Sequence, residues 1–177
     1  GAVLKSSEMD NSTFSSAIKL KNDIDKLPLF ISDTDGSSLE SLIHRTRMLV
    51  SRFKIRLLII DYLQLLMVQS ATENRNNEIS SITRALKQLA QREKIPIILL
   101  SQLNRASAES KPQLSNLKDS GAIEQDANIV ILLHADYEKH PNVLGVYVAK
   151  NRAGRTGPFK LTFMRENGLV ANYAEER

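Results

Sequence analysis

The 177-residue sequence contains no cysteine and no tryptophan, and aromatic residues make up only 5% of it. The absence of cysteine excludes a disulfide scaffold, an iron–sulfur cluster, a Cys-type zinc site and a thiol nucleophile. With so few aromatic rings, base stacking would not dominate a contact with nucleic acid. No apolar run approaches the ~18 residues of a membrane span, and no signal peptide opens the chain, so we expect a cytoplasmic protein with no membrane partner.

The three histidines, His44, His134 and His140, do not have the spacing of a metal site, so the sequence predicts no zinc. Lysine and arginine number 24 against 20 acidic residues, which gives a net charge of +4. This balance permits contact with nucleic acid without requiring it. Hydrophobic residues make up 42% of the chain, which is ordinary for a globular domain and excludes wholesale disorder.

Apolar residues recur at helical spacing in two long segments. Leu39–Val50 follows a capping-box pattern in which Ser37 precedes Glu40 by three residues, and Ile79–Ala90 has the same periodicity. A shorter segment, Ala122–Asp126, also indicates a helix.

Near-continuous apolar segments alternate with these helices and predict strands at Ile55–Ile60, Ile95–Leu100 and Ile129–Leu133. This order is typical of a mostly parallel sheet covered by helices on both faces. Two later strands, Val143–Ala149 and Phe159–Phe163, lie close together in sequence and predict an antiparallel hairpin at the C-terminal edge. The fold class is therefore α/β.

An apolar strand ends in a carboxylate at Asp61. The carboxyl ends of strands form the edge where open α/β sheets bind ligands. In phosphate-loop nucleotidases an aspartate at this place holds Mg²⁺ beside the nucleotide phosphates. On this short pattern alone, an aspartate that merely ends a strand is the more common case.

The next strand ends in a polar pair, Ser101-Gln102, at the same kind of edge. Two adjacent strands that deliver Asp61 and then Gln102 would line one cleft. A glutamine here could contact a γ-phosphate or orient the attacking water, or it could be an ordinary polar strand end.

Ile59-Ile60-Asp61-Tyr62-Leu63-Gln64-Leu65 resembles the Walker B segment of DnaB-type replicative DNA helicases. Further blocks similar to that family follow in the same order from about Pro28 to the C-terminus: Glu73-Asn74-Arg75 with Glu78-Ile79-Ser80, Leu100-Ser101-Gln102-Leu103-Asn104-Arg105, Ser120-Gly121-Ala122-Ile123-Glu124-Gln125-Asp126-Ala127, and Lys150-Asn151-Arg152. Several matches in order are more specific than any single one.

This resemblance implies a RecA-like motor that works as a hexameric ring on single-stranded DNA, uses ATP and Mg²⁺, and meets a primase and a helicase loader. It also extends to Ser7-Glu8-Met9, which is similar to the family block whose glutamate polarises the attacking water. Glu8 would then be the general base.

The sequence departs from the family at several points, and the first concerns the phosphate-binding chemistry. No G-x-x-x-x-G-K-[ST] motif occurs, although that loop's backbone N–H groups and lysine cradle the phosphates. The stretch from Met9 to Pro28 is also shorter than in the family. We therefore expect residues 1–177 to be a partial motor domain that does not hydrolyse ATP by itself.

Leu117-Lys118-Asp119-Ser120-Gly121 resembles the family loop that grips the single-strand backbone. Lys118 would contact a phosphate as a point charge where the family usually has arginine, and Asp119 would replace glutamate. Gly121 would allow the backbone to approach a phosphate closely. Without the resemblance, a solvated turn before a helix would be the simpler interpretation.

Lys150 and Arg152 follow a late strand. In the family, the corresponding cations reach the ATP site of the neighbouring subunit and stabilise transition-state charge there. A basic strand end beside a glycine-rich turn is the structural alternative.

Two other functions stay open at this point. One is a related RecA-like recombination or repair ATPase, and the other is a catalytically silent module that binds single-stranded DNA or a partner protein.

Overall fold

The structure is a computed structural model that describes residues 11–33, 38–68, 75–103, 112–114 and 120–174. Its helices are α1 (Asn11–Asp25), α2 (Leu39–Phe53), α3 (Arg75–Glu93) and α4 (Ser120–Asp126), and a short 3-10 turn covers Leu63–Leu65. Its strands are β1 (Leu58–Ile60), β2 (Ile97–Leu99), β3 (Ile129–His134), β4 (Val143–Asn151), β5 (Gly157–Met164) and β6 (Leu169–Asn172). The mixed α/β class is confirmed.

Helix α2 forms where its periodicity predicts, but its cap lies one residue later than the capping-box pattern indicates. The hydroxyl of Ser38 accepts a hydrogen bond from the backbone N–H of Ser41 at 3.2 Å. Glu40 then lies in the first turn, where a negative charge complements the helix dipole. The helix ends at Lys54, whose backbone is left-handed.

Strands β1 and β2 form a two-stranded parallel sheet in the register Leu58↔Ile97, Ile59↔Ile98 and Ile60↔Leu99. Each follows a helix through a short connection with a left-handed lysine, Lys54 after α2 and Lys94 after α3. Because the two strands pair in parallel, their carboxyl ends lie at the same edge of the sheet.

The main core lies between this sheet and helices α2 and α3. Its buried members come from both helices, from β1 and from the turn that follows it: Leu39, Ile60, Leu63, Leu66, Ile79, Ile82, Leu86 and Leu89. Leu63 and Ile82 are completely enclosed. At the surface, Arg47 and Glu93 join α2 to α3 with an ion pair of 3.4 Å.

Strands β3 to β6 form an antiparallel sheet in chain order. The hairpin of β4 and β5 is confirmed, and β6 extends it. A tight turn carries Gly168, whose φ of 70° favours glycine, and the side chain of Asn167 accepts a hydrogen bond from the Leu169 N–H at 3.0 Å.

Between β3 and β4, a hydrogen bond from the Lys139 N–H lowers the pKa of Asp136.

One face of both sheets is apolar and exposed. Strand alternation turns Ile60 and Val130 towards the helices, and their neighbours in the chain point the other way. The residues on that outer face are 41–59% exposed: Ile59, Ile98, Leu100, Ile129, Ile131 and Leu133. Within the described ranges the sheets are therefore covered on the α3 side only, whereas the sequence pattern predicts cover on both faces.

Helix α1 is not part of the predicted element order. Its serine-rich start gives a weak local signal, and its large apolar side chains, such as Phe14 and Ile18, are about half exposed. The segment that follows contacts α2 through the paired rings of Phe30 and Phe53, 4.7 Å apart. Of the helices that the structure describes, none combines the length and apolarity needed to cross a membrane.

Candidate functional site

Asp61 lies directly after β1, at the edge where the parallel strands end. The N–H of Leu100 donates to the carbonyl of Ile60 at 3.0 Å, and the N–H of Leu63 donates to the carbonyl of Leu100 at 2.8 Å. These bonds continue the pairing of the two strands past Asp61, whose side chain is exposed. The peptide bond between Asp61 and Tyr62 is cis.

Gln102 lies at the same edge, three residues beyond the end of β2, and is also exposed. The side chain of Gln64 connects the two strand ends. Its amide nitrogen donates to the Ser101 hydroxyl at 3.0 Å, and its amide oxygen accepts from the Gln102 N–H at 3.4 Å. Asp61 and Gln102 are thus brought to one edge, as the sequence predicts.

Gln64 is a residue whose role sequence reasoning missed. It appears within the Walker B-like block only as one member of the match, although a polar residue between Leu63 and Leu65 was a usable signal. Because Leu63 is fully buried, the 3-10 turn has a fixed orientation, and the side chain of Gln64 points across to the end of β2.

Lys150 and Arg152 lie together at the end of β4, on the antiparallel sheet. The Lys150 ammonium donates to the carbonyl of Glu124, and the Arg152 guanidinium donates to the carbonyl of Gln125 at 2.6 Å. Cations at the C-terminal end of a helix compensate its unpaired carbonyls and its dipole. Among the described contacts, none joins these cations to Asp61 or Gln102, so the structure forms two separate clusters.

Gly121 lies in the first turn of α4 with open space where a Cβ would be. The chain's own packing therefore does not require glycine at this position. The other predicted site residues, Glu8, Lys118 and Asp119, lie outside the described residues.

A groove of about 570 Å³ separates the two sheets. Its walls come from α3, from β2 and from the start of β3, and most of its lining is apolar: Leu86, Ala90, Ile97, Leu99, Ile129 and Ile131. Polar groups stand around it at Lys87, Ser101 and Asp126.

The chemistry available at the Asp61 edge is that of one free carboxylate beside an amide. In the part of the chain that the structure describes, no cluster of three or more histidine, aspartate or glutamate side chains could hold a metal. Mg²⁺ does not need such a cluster, because it commonly binds one or two carboxylates together with substrate phosphates and water. Asp61 has no hydrogen-bond or ion-pair partner among the described residues, so it fits this mode of binding.

Comparison with known families gives a match over nearly the whole chain. The family model described as the DnaB-like helicase C terminal domain matches residues 2–172. A replicative DNA helicase DnaB from Leifsonia xyli subsp. xyli is 37% identical in an alignment of 180 positions that covers 97% of this chain and 39% of the relative. The DnaB of Rickettsia prowazekii is 35% identical, with 91% of this chain and 38% of the relative covered. The chain thus spans about four-tenths of the length of these relatives.

Solved structures agree with this match. A DnaB-like replicative helicase, described with its interactions with primase, has a TM-score of 0.84 and 31% identity over 98% of this chain and 44% of that one. A second solved structure, described as an ATPase domain, has a TM-score of 0.81 and 34% identity over 96% of this chain and 62% of that domain. Both the backbone and the sequence are therefore similar to those of a replicative helicase and of an ATPase domain, which supports the RecA-like form of the α/β fold.

Proposed function

The chain belongs to the DnaB-like helicase C-terminal domain family, and from this premise we propose that it forms part of the motor of a replicative DNA helicase. The intact parent protein would couple ATP hydrolysis to translocation on single-stranded DNA and to duplex unwinding. The relatives named above are all replicative helicases, which favours this function over a recombination ATPase or a silent binding module.

The observation that carries the proposal is the shared edge of β1 and β2. Asp61 and Gln102 end adjacent parallel strands, and Gln64 holds those ends together. Carboxyl ends of parallel strands are where α/β folds bind nucleotides, so a carboxylate and an amide placed there suit a phosphate-bound cation.

The proposed roles follow from the side-chain chemistry. Asp61 would hold Mg²⁺, usually through water, and the ion would neutralise phosphate charge. Gln102 would contact the terminal phosphate or orient the attacking water, and Glu8 would take the proton of that water as general base. The phosphate loop that cradles ATP would come from sequence outside these 177 residues.

Lys150 and Arg152 would serve a neighbouring subunit. They lie on a different sheet from Asp61 and do not contact its cluster among the described residues. A cation that reaches a terminal phosphate from a neighbour stabilises transition-state charge, and this role as an arginine finger requires an adjacent subunit. We propose a homo-oligomeric ring, hexameric as the family resemblance implies.

Single-stranded DNA would bind at the start of α4. Lys118 would contact a backbone phosphate, Asp119 would orient its neighbours, and the open space at Gly121 would let a phosphate approach the backbone. The net charge of +4 is compatible with this contact.

The exposed apolar face supports the proposal that this chain works within a longer motor. Six large apolar side chains on the outer faces of the two sheets are more than a soluble domain usually leaves in water, so a further layer would cover them. A primase and a helicase loader are the partners that the family resemblance implies for the intact parent.

The test is Asp61→Asn in the intact parent protein, with Asp25→Asn on exposed α1, whose carboxylate pairs with Lys21 at the surface, as the control. We expect Asp61→Asn to reduce Mg²⁺-dependent ATP turnover at least tenfold, because the amide is a poor ligand for a hard cation. A thermal melt should stay unchanged, because Asp61 is exposed. Normal turnover, or an equal loss in the control, would contradict the assignment.

A further inference from the structure

Besides the packing of Ile123 against the main core, two side-chain hydrogen bonds join α3 to the C-terminal end of α4 and to the residues just after it. The Thr83 hydroxyl donates to the Asp126 carboxylate at 2.6 Å, whereas its alternative acceptor, the Ser80 carbonyl, is 3.2 Å away. The Lys87 ammonium donates to the side-chain carbonyl of Asn128. Thr83 is buried and its acceptor is charged, so this is the stronger kind of hydrogen bond.

The same end of α4 holds the two cations at the end of β4. Lys150 and Arg152 donate to the carbonyls of Glu124 and Gln125, and the Arg152 N–H donates to the carbonyl of Asn128 at 3.0 Å. The segment 124–128 is therefore fixed to α3 on one side and carries the cations on the other.

We propose that Thr83 and Asp126 are positioning residues for hydrolysis, and that they act through α4 on the placement of Lys150 and Arg152. This inference rests on the proposed function of the two cations. A helix of 7 residues is too short to hold its own conformation, so its contacts with α3 decide where its last carbonyls lie. Those carbonyls in turn decide where the ammonium and the guanidinium point.

The residues proposed to contact DNA lead directly into α4, and Gly121 belongs to its first turn.

The first experiment measures how accessible the Lys150 ammonium is to a chemical label, and it requires no ATP hydrolysis. The intact protein is acetylated briefly, and the labelling rate of Lys150 is measured by peptide mass spectrometry. Thr83→Val should raise this rate severalfold, because α4 loosens and releases the ammonium. Thr83→Ser keeps the hydroxyl and should behave as wild type.

Thr46→Val is the matched control. Thr46 is equally buried, but its hydroxyl donates to the Leu42 carbonyl within α2 at 2.8 Å and has no connection to α4. The control therefore removes a buried hydroxyl from the same core and should leave the Lys150 rate unchanged.

The second experiment measures turnover. Thr83→Val should lower kcat about tenfold with KM nearly unchanged, since a charge-assisted hydrogen bond corresponds to roughly that factor and the cations act on the transition state. The defect should act in trans. In mixed rings with Glu8→Gln subunits, some interfaces join an intact Glu8 to an intact Thr83, so activity should partly return.

If Thr83→Val leaves the acetylation rate of Lys150 unchanged, the inference is overturned, whatever the ATP turnover of the variant. A raised rate with normal kcat, or a defect without recovery in rings proven to be mixed, would overturn the role in hydrolysis. If the wild-type parent has no ATPase activity, the proposed function is contradicted instead. The labelling rate of Lys150 then tests on its own whether Thr83 holds α4 in place.

Discussion

Replacing Leu63 with alanine should destabilise the protein far more than the same change at Leu65, two residues away. Both leucines lie in one 3-10 turn, but Leu63 is 0% exposed and Leu65 is 53% exposed. Leu63→Ala removes buried surface and leaves a cavity among the core residues of α2 and α3. Leu65→Ala removes a side chain that is already half in water, so Leu65 serves as the control.

The magnitude follows from these exposures. Leu→Ala in an enclosed site costs about 2–5 kcal/mol, so we expect about 3 kcal/mol for Leu63. Leu65→Ala should lower the free energy of unfolding by about 1 kcal/mol or less, because only about half of the Leu65 side chain is buried. For a chain of this size the loss at Leu63 corresponds to a fall in Tm of roughly 6–12 °C.

Urea unfolding, monitored by circular dichroism, measures the stability of both variants. The midpoint should fall with the slope m unchanged, because the surface exposed on unfolding stays nearly the same. Leu63→Met conserves volume and should cost less than about 1.5 kcal/mol, which keeps the comparison possible if the alanine variant does not fold. Equal losses at Leu63 and Leu65 would refute the burial argument.

Three further predictions concern the cations and a helix end. Lys118→Ala in the intact parent should weaken single-stranded DNA binding equally across sequences. It should also lower the slope of log binding constant against log salt concentration by roughly 0.7. An unchanged slope in salt titrations would show that Lys118 is a solvated surface residue. Arg152→Ala should abolish hydrolysis but spare nucleotide binding, and mixing with Glu8→Gln subunits should partly restore activity if the two residues serve different subunits. In a thermal melt, Lys94→Gly should raise the free energy of unfolding by about 0.5–1 kcal/mol, because the backbone of Lys94 is left-handed with φ 54°. In the same melt, Gln88→Gly inside α3 should lower the free energy of unfolding by about 1 kcal/mol.

The local pattern of the sequence determined the helices α2 and α3, the apolar strands and the polar residues at their ends. Each of these depends on residues close together in the chain, because helical periodicity and strand alternation are local properties. Asp61 and Gln102 were predicted at one edge for the same reason, since each follows an apolar run. The Asn167-Gly168 turn was an unused local signal for β6.

The tertiary structure alone decided how these elements meet. Gln64 reaches Ser101 across 37 positions, and Thr83 reaches Asp126 across 43, so no window of sequence contains either pair. The burial of Leu63 against the exposure of Leu65, and the exposed face that begins at Ile59, likewise depend on which surfaces pack together. Local periodicity specifies the elements and the residues at their ends, whereas the contacts that orient those residues form only when distant segments pack.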